Sequence, residues 1–218
     1  MAPAPDPKRP QEGRKAAYFA RNRAAIIRAG QEVLAKQGPS ATVEEIAAQV
    51  GMSVSTLYKH FETKELLFAT AVVSAMAEWE TWVDEMTAEV ADPLEQLVVP
   101  MRLFVRGGVT HPIFGGMVAN SPAEAMVALP LSTRNLADHI GQLVASGVLK
   151  IDHVEQRVGN LVAVLMHTLQ VAVLDPTVSP ADSDTALEVA LPMIGISPAK
   201  AHRLVNLPLP VDASRAVD

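Results

Sequence analysis

The tightest constraint on this chain lies between Thr42 and Leu67, where two short helices must stand on either side of one glycine. The Thr42 hydroxyl can cap the amide of Glu45, and the Glu45 side chain can reach back to the Thr42 amide, so a helix starts here. Val43, Ile46, Ala47 and Val50 give it one apolar face. Gly51 supplies the left-handed backbone that ends such a helix, and Ser53 can cap the next one. In that second helix Leu57 and Phe61 share one side. Ser53, Val54, Ser55, Thr56, Tyr58, Lys59 and His60 are left largely outward. A short helix with such a face is narrow enough to enter a nucleic-acid groove and has little reason to be buried.

Charge supports that reading once it is located along the chain. The net charge is -6, with 18 Lys and Arg against 24 Asp and Glu. Residues 1–69 nevertheless carry 10 basic and 7 acidic residues, a net of +3, and the remainder is at -9. Such asymmetry suits one part that meets a polyanion and another that does not. With 49% hydrophobic residues the chain can bury a core. It has no uninterrupted apolar run of the length a membrane span requires, because Val158 to Leu174 is broken by Gly159, Asn160, His167, Thr168 and Gln170. No membrane association is therefore expected. The proline-rich start Met1 to Pro7 lacks an apolar signal region, and there are no cysteines, which together fit a cytoplasmic protein.

The pattern predicts an all-α fold of about nine or ten helices, since no period-two stretch appears. Residues 1–16 are expected as a disordered basic, proline-rich arm and residues 17–66 as the head, its first helix running from about Phe19 to Gln37. A helix opening at Lys64 meets no breaker before Ala91, and Asp92-Pro93 starts another to Arg106, kinked at Pro100. The breaks Gly107-Gly108, Thr110-His111-Pro112, Gly115-Gly116 and Ser121-Pro122 read as punctuation around one short helix. Helices over 122–146, bent at Pro130, then 152–174, 180–191 and from Ser197-Pro198 to Val205 complete a second domain, 67–205, before a flexible tail, 206–218.

With these residues in place, the chain resembles the tetracycline-repressor-like (TetR) family of bacterial transcriptional regulators. Thr42-Val43, Ile46-Ala47, Val50-Gly51-Met52-Ser53, Leu57-Tyr58, His60-Phe61 and Lys64 to Leu67 fall at that family's positions, over roughly residues 20–70. The resemblance implies a homodimer of all-helical subunits, each with a three-helix head that binds double-stranded operator DNA and a larger ligand-binding and dimerisation domain. Such a dimer represses from a palindromic operator and leaves it when a small hydrophobic effector binds. In that frame Thr42, Tyr58, His60 and Lys64 suit phosphates, with a helix N-terminus behind Thr42. Ser55, Thr56 and Lys59 suit base edges, and Ser53 opens the reading helix. Val54 departs from the family, where Lys or Arg is common, so one charge contact is missing. Lys8, Arg9, Arg14 and Lys15 could order on DNA and add salt-dependent affinity.

For the effector the expected lining is Met101, Phe104, Phe114, Met117, Met166 and Gln170, with His111 and His167 as polar orienters, against the competing reading, the stronger one for any single residue, of ordinary core. An aliphatic or acyl ligand fits the 4% aromatic content better than a large aromatic one. Dimerisation is expected through Val158, Leu161, Val162, Leu165, Leu169 and Val173, joined by Leu187 and Leu191. Neither a metal nor another cofactor is expected, since His111, His139, His153 and His167 show no ligand spacing. No enzyme motif appears, neither a nucleophile elbow nor a phosphate-cradling loop. The alternative is a constitutive or protein-controlled DNA-binding regulator with a vestigial pocket.

Overall fold

A computed structural model describes residues 9–210, which form eleven α-helices and, among the described residues, no strand. Helix α1 spans Arg9–Gln37, α2 Val43–Gln49, α3 Val54–Leu57 and α4 Lys64–Thr87. They are followed by α5 Pro93–Val105, α6 Gly107–Thr110, α7 Pro112–Asn120 and α8 Pro122–Ala145. The last three are α9 Val154–Leu174, α10 Pro180–Ala190 and α11 Pro198–Val205, with 3-10 turns at Gly38–Ser40 and Leu191–Ile194.

Local signals set the head as expected. Thr42 accepts from the Glu45 amide at 3.3 Å while its own amide donates to Glu45 Oε2 at 2.9 Å. Gly51 takes φ +67°, the left-handed turn that a Cβ would strain. Ser53 then caps α3 by accepting from the Thr56 amide at 3.2 Å. The start of α1 differs from expectation. It begins at Arg9, ten residues ahead of Phe19, so residues 9–16 are helical rather than a disordered arm. Pro10 sits where a helix tolerates proline, and the alanines at 16, 17, 20, 24 and 25 favour continuation. The arm's residues 1–8, Lys8 among them, and the tail's residues 211–218 lie outside the described residues.

The glycine pairs also differ from expectation, and the difference is one of packing. Gly107-Gly108 open α6 and Gly115-Gly116 lie inside α7. A Cβ on Gly115 would stand 2.6 to 2.7 Å from backbone atoms of Gly107 and Gly108, and one on Gly116 would stand 2.9 Å from the Ala35 carbonyl oxygen. These glycines are contact points that let α7 lie against α6 and α1. Helices α5 and α8 each continue through an internal proline, Pro100 and Pro130. Helix α4 ends at Thr87 instead of near Ala91, which frees Asp92 to cap α5 at the Leu94 and Glu95 amides.

One apolar core joins the head to the second domain, from Ile26 and Leu34 through Leu67 and Ala71 to Leu103 and Leu169. Helix α1 packs on α7 and α4 as well as on α2. Asn120 of α7 donates to the Ala35 carbonyl at 2.8 Å, and Gln31 of α1 donates to Glu78 of α4 at 3.3 Å. At the far end, Arg102 of α5 and Arg106 just after it both bond Asp184 of α10, and Arg102 Nη1 donates to the Leu207 carbonyl at 2.7 Å beyond α11.

Candidate functional site

The head presents its polar face on an apolar footing. Leu57 and Phe61 are each 1% exposed and anchor α3 over Val43, Ile46 and Ala47. Ser53, Ser55, Tyr58 and Lys59 are exposed, and Thr42, Val54, Thr56, His60 and Lys64 are half-buried. All nine residues expected at DNA therefore reach the surface in some degree, and their side chains differ in what is left to give. The Ser53 hydroxyl lies 3.0 Å from that of Ser55 and 2.9 Å from that of Thr56, a cluster of three at the start of α3. The Thr42 hydroxyl is committed to the cap, donating to Glu45 Oε2 at 2.8 Å. Hydrogen bonds from Gln37 and then Thr42 hold the Glu45 carboxyl below its usual range. Glu44 and Glu45 thus place negative charge beside the expected phosphate contact at α2.

His60 and the cations around it are arranged by rings. The imidazole stacks on Phe19 of α1 at 4.1 Å, and its Nδ1 is buried with no partner among the described residues. Burial first, and the nearby Arg23 charge second, lower its pKa and keep it neutral at pH 7. Arg23 lies over the Phe61 ring at 4.3 Å and Lys64 over Phe68 at 4.9 Å. Arg14, Lys15 and Arg21 are exposed along α1. Basic charge on this head therefore flanks α3 from α1 and α4, while α3 itself carries hydroxyls.

Behind the head, a cavity of about 180 Å³ opens between α4, α5, α8 and α9. Its apolar wall includes Met76, Trp79, Leu97, Met101, Phe104 and Met166. Its polar side is Glu80, Gln96, Ser132 and His139, with the Ser132 hydroxyl donating to Glu80 Oε1 at 2.7 Å. Burial lowers the His139 pKa, which leaves that ring uncharged near neutrality. The Trp79 ring lies parallel to Phe114 at 5.1 Å and edge-on to Phe104 at 5.6 Å, and its Nε1 is buried with no partner among the described residues. A wider hollow of about 550 Å³ lies alongside, lined by Val118, Pro130, Val162, Met166, His167 and Gln170.

The expected ligand residues divide between these places. Met101, Phe104 and Met166 line the cavity, and Met166, His167 and Gln170 line the wider hollow. Phe114, 4% exposed, and Met117, 2% exposed, are core, with Phe114 acting as the platform under Trp79. His111 stands apart, stacked on Trp82 at 4.5 Å. Sequence reasoning missed Glu80, Ser132 and His139. For Ser132 the signal was a run of polar residues on α8, Ser132 to Asn135, ahead of Leu136.

The stripe expected at a dimer interface is corrected by burial. Val158, Leu161 and Leu169 are each 0% exposed and Leu165 is 7% exposed within the single subunit, as are Leu187 and Leu191 at 0%. Val162 and Val173 are half-buried, Val162 at the cavity wall. Periodicity identified the buried side of α9, and what covers it is α5, α7, α8 and α10 of the same chain. By length and composition alone α9 could cross a membrane, yet here its apolar side is packed in this way. Its outward face is Gly159, Asn160, Ala163, His167, Val171 and Leu174, and on α10 Val189 is 74% exposed.

Comparison with known proteins agrees with this architecture. Residues 26–71 match the model for bacterial regulatory proteins of the tetR family. No curated protein sequence matches the chain. Among solved structures, RolR in complex with resorcinol aligns at a TM-score of 0.72 and 20% identity, over 90% of this chain and 98% of that one. The fatty acid degradation regulator FadR from Bacillus halodurans aligns at 0.66 and 16% identity, over 79% and 94%. FadR from Bacillus subtilis in complex with stearoyl-CoA aligns at 0.63 and 19%, over 77% and 96%. The chain therefore carries a TetR-family helix-turn-helix head on a TetR-like, all-helical fold, the architecture of a TetR-family transcriptional regulator.

Proposed function

We propose that this chain is a homodimeric repressor that reads a palindromic operator through α3 and leaves it when a small hydrophobic effector occupies the cavity. The observation that carries the reading is that one helix serves both sites. Helix α4 opens at the head with Lys64 and then lines the cavity with Met76, Trp79 and Glu80. In this reading Ser55, Thr56 and Lys59 meet base edges, and Tyr58 and Lys64 meet phosphates. His60, being neutral, meets a phosphate through Nε2–H. The committed Thr42 hydroxyl leaves that contact to the first-turn amides of α2.

The outward face of α9, with α10, is the proposed dimer surface. Two copies would set their α3 helices about one DNA turn apart, roughly 34 Å. RolR in complex with resorcinol and FadR in complex with stearoyl-CoA both support a small-molecule ligand for this chain. The cavity of about 180 Å³ suits a small ring, and the adjoining hollow of about 550 Å³, which shares Val162 and Met166, gives room for a longer chain. Effector coupling is then on the order of 1–3 kcal/mol, or roughly 5- to 150-fold in DNA affinity.

The test begins with selection of bound sequences from random duplex DNA by the full chain, followed by fluorescence anisotropy on the selected site. A palindromic consensus is expected, and Lys64→Ala, which removes a phosphate contact, should weaken binding and reduce the salt slope by about 1 per half-site. A consensus without two-fold symmetry, or an unchanged slope, refutes the assignment. If no small hydrophobic molecule weakens DNA binding while the operator is still read, the protein is a constitutive or protein-controlled regulator.

A further inference from the structure

On the basis of the ligand-responsive reading above, we infer that the cavity between α4, α5, α8 and α9 takes a protonated amine on an apolar body, with the Glu80 carboxylate as its counter-ion. Charge comes first. Glu80 is the sole acid among the lining residues, and neither Lys nor Arg lines the cavity. The side chain is half-buried and forms no ion pair among the described residues. Ser132 Oγ donates to Oε1 at 2.7 Å, which ties the carboxylate on α4 to α8. Oε2 takes no bond among the described residues and is not sealed inside the core, so it is left to accept from a donor that the protein does not supply. A carboxylate beside an apolar wall is costly without a partner, and a cationic ligand is that partner.

The surroundings favour the same class. His139, the one histidine in the lining, has its pKa lowered by burial, so near neutrality it adds no competing positive charge and its unprotonated nitrogen can accept from an ammonium. Aromatic walls, here Trp79 and Phe104, tolerate a cation better than aliphatic ones do. Residues 70–218 carry a net charge of -9, which draws cations toward this domain. A carboxylate or phosphate would find no cation in the lining and would face Glu80, and a neutral ligand would leave Glu80 unpaired. A bare metal ion is no better suited. Calcium takes at least about six oxygen ligands, and among the described residues no group of three or more His, Asp or Glu is assembled to supply them. Size sets the body. An apolar space of about 150 Å³ accommodates benzene, and this cavity is about 180 Å³, enough for one ring with a short substituent between Met76, Leu97, Met101 and Met166.

Calorimetric titration of the full-length protein with benzylammonium, benzyl alcohol and benzoate tests this, since the three share a ring and differ in charge. Benzylammonium should bind about ten- to a hundredfold more tightly than benzyl alcohol, the range expected for a hydrogen bond between charged partners, and benzoate should not bind measurably. Glu80→Gln should bring benzylammonium down to the level of benzyl alcohol and leave benzyl alcohol unchanged. Asp138, an exposed acid of α8 outside the lining, is the control. Asp138→Asn should keep the preference intact, with thermal unfolding confirming that both variants fold. Benzyl alcohol or benzoate matching benzylammonium would overturn the inference. So would no binding of benzylammonium, a preference that survives Glu80→Gln, or one lost equally in Asp138→Asn. Operator release is read separately by anisotropy. Benzylammonium that binds through Glu80 yet leaves DNA bound upholds the ligand chemistry and refutes the regulatory reading. Release of the operator by benzyl alcohol as readily as by benzylammonium refutes the ligand chemistry alone.

Discussion

Asp184→Asn is expected to be the most damaging conservative change in the second domain. The carboxylate accepts four hydrogen bonds from two guanidiniums: Arg102 Nε at 3.3 Å and Nη2 at 2.8 Å, then Arg106 Nε at 3.1 Å and Nη2. Exposure of the three side chains is low, 4% for Arg102, 10% for Asp184 and 16% for Arg106, so water cannot readily replace the lost charge. Removing one partner of a buried ion pair costs about 3–5 kcal/mol, because the remaining charge stays buried and unbalanced. Against a total stability of about 5–15 kcal/mol that is a large share. At about 2–4 °C per kcal/mol for a chain of this size, the melting temperature should fall by about 6–20 °C. Thermal and urea unfolding at fixed protein concentration would measure it, since a dimer's stability depends on concentration. Replacing the whole cluster with Arg102→Met, Arg106→Met and Asp184→Leu should recover much of the loss, as apolar replacements of buried ion clusters often do. A loss under about 1 kcal/mol in Asp184→Asn would falsify the premise that this carboxylate is what balances both arginines.

Three further outcomes follow from particular contacts. Glu45→Gln should lower the melting temperature at pH 7, because the folded carboxyl titrates below its ordinary value and so stabilises the fold above that value. That contribution is lost as the pH falls through the folded pKa, so variant and wild type should converge in acid, below the ordinary value of about 4.3; an equal gap at pH 7 and pH 3 would count against the capping role. Gly116→Ala would bring a Cβ to 2.9 Å from the Ala35 carbonyl oxygen and 3.2 Å from the Ala35 Cβ. The strain should cost about 1–3 kcal/mol in urea unfolding and change operator affinity, and an unaltered affinity would mean that α7 does not position the head. Ala163→Glu, on the outward face of α9, should shift sedimentation from dimer to monomer, whereas Leu165 sits inside the subunit and its replacement should unfold the domain before it separates the dimer. A stable Ala163→Glu dimer would place the interface elsewhere.

What the sequence disclosed follows the range of the interactions. The head was readable because its signals are local: Thr42 and Glu45 are three residues apart, and Gly51 and Ser53 determine a turn by themselves. The glycine pairs were misread because a helix stop and a close helix contact use the same residue. Only the fold brings Gly115 against Gly107, and Gly116 against Ala35. On α9, apolar spacing marked the buried side without saying what buries it, and the outward face has Gly159 and Ala163, which give no hydropathy signal. Methionine and phenylalanine pointed to the cavity at Met101, Phe104 and Met166. Glu80 was invisible, because a charged residue on a helix reads as solvated until Ser132 is found 2.7 Å away on another helix.

The same contacts bear on how an effector would reach the DNA. Helix α4 as a single lever would carry any motion from the cavity to Lys64. Yet the head is held from two sides, since its first helix packs on α7 as well as on α4. Trp79, at the cavity wall, lies parallel to Phe114 of α7 at 5.1 Å, and α7 in turn grips α1 where Asn120 bonds the Ala35 carbonyl at 2.8 Å. On the α4 side Gln31 bonds Glu78 at 3.3 Å, one position from Trp79 in sequence. A ligand that displaces the Trp79 ring would therefore load both supports of α1. A ligand shifts an equilibrium only by its difference in affinity for the two states, so the 1–3 kcal/mol of coupling must come from contacts that change between them. The Trp79–Phe114 stack is of the right size, since an aromatic pair contributes about 0.5–1.5 kcal/mol beyond its buried area. Phe114, although absent from the cavity wall, is for this reason expected to influence induction more than most residues that line it.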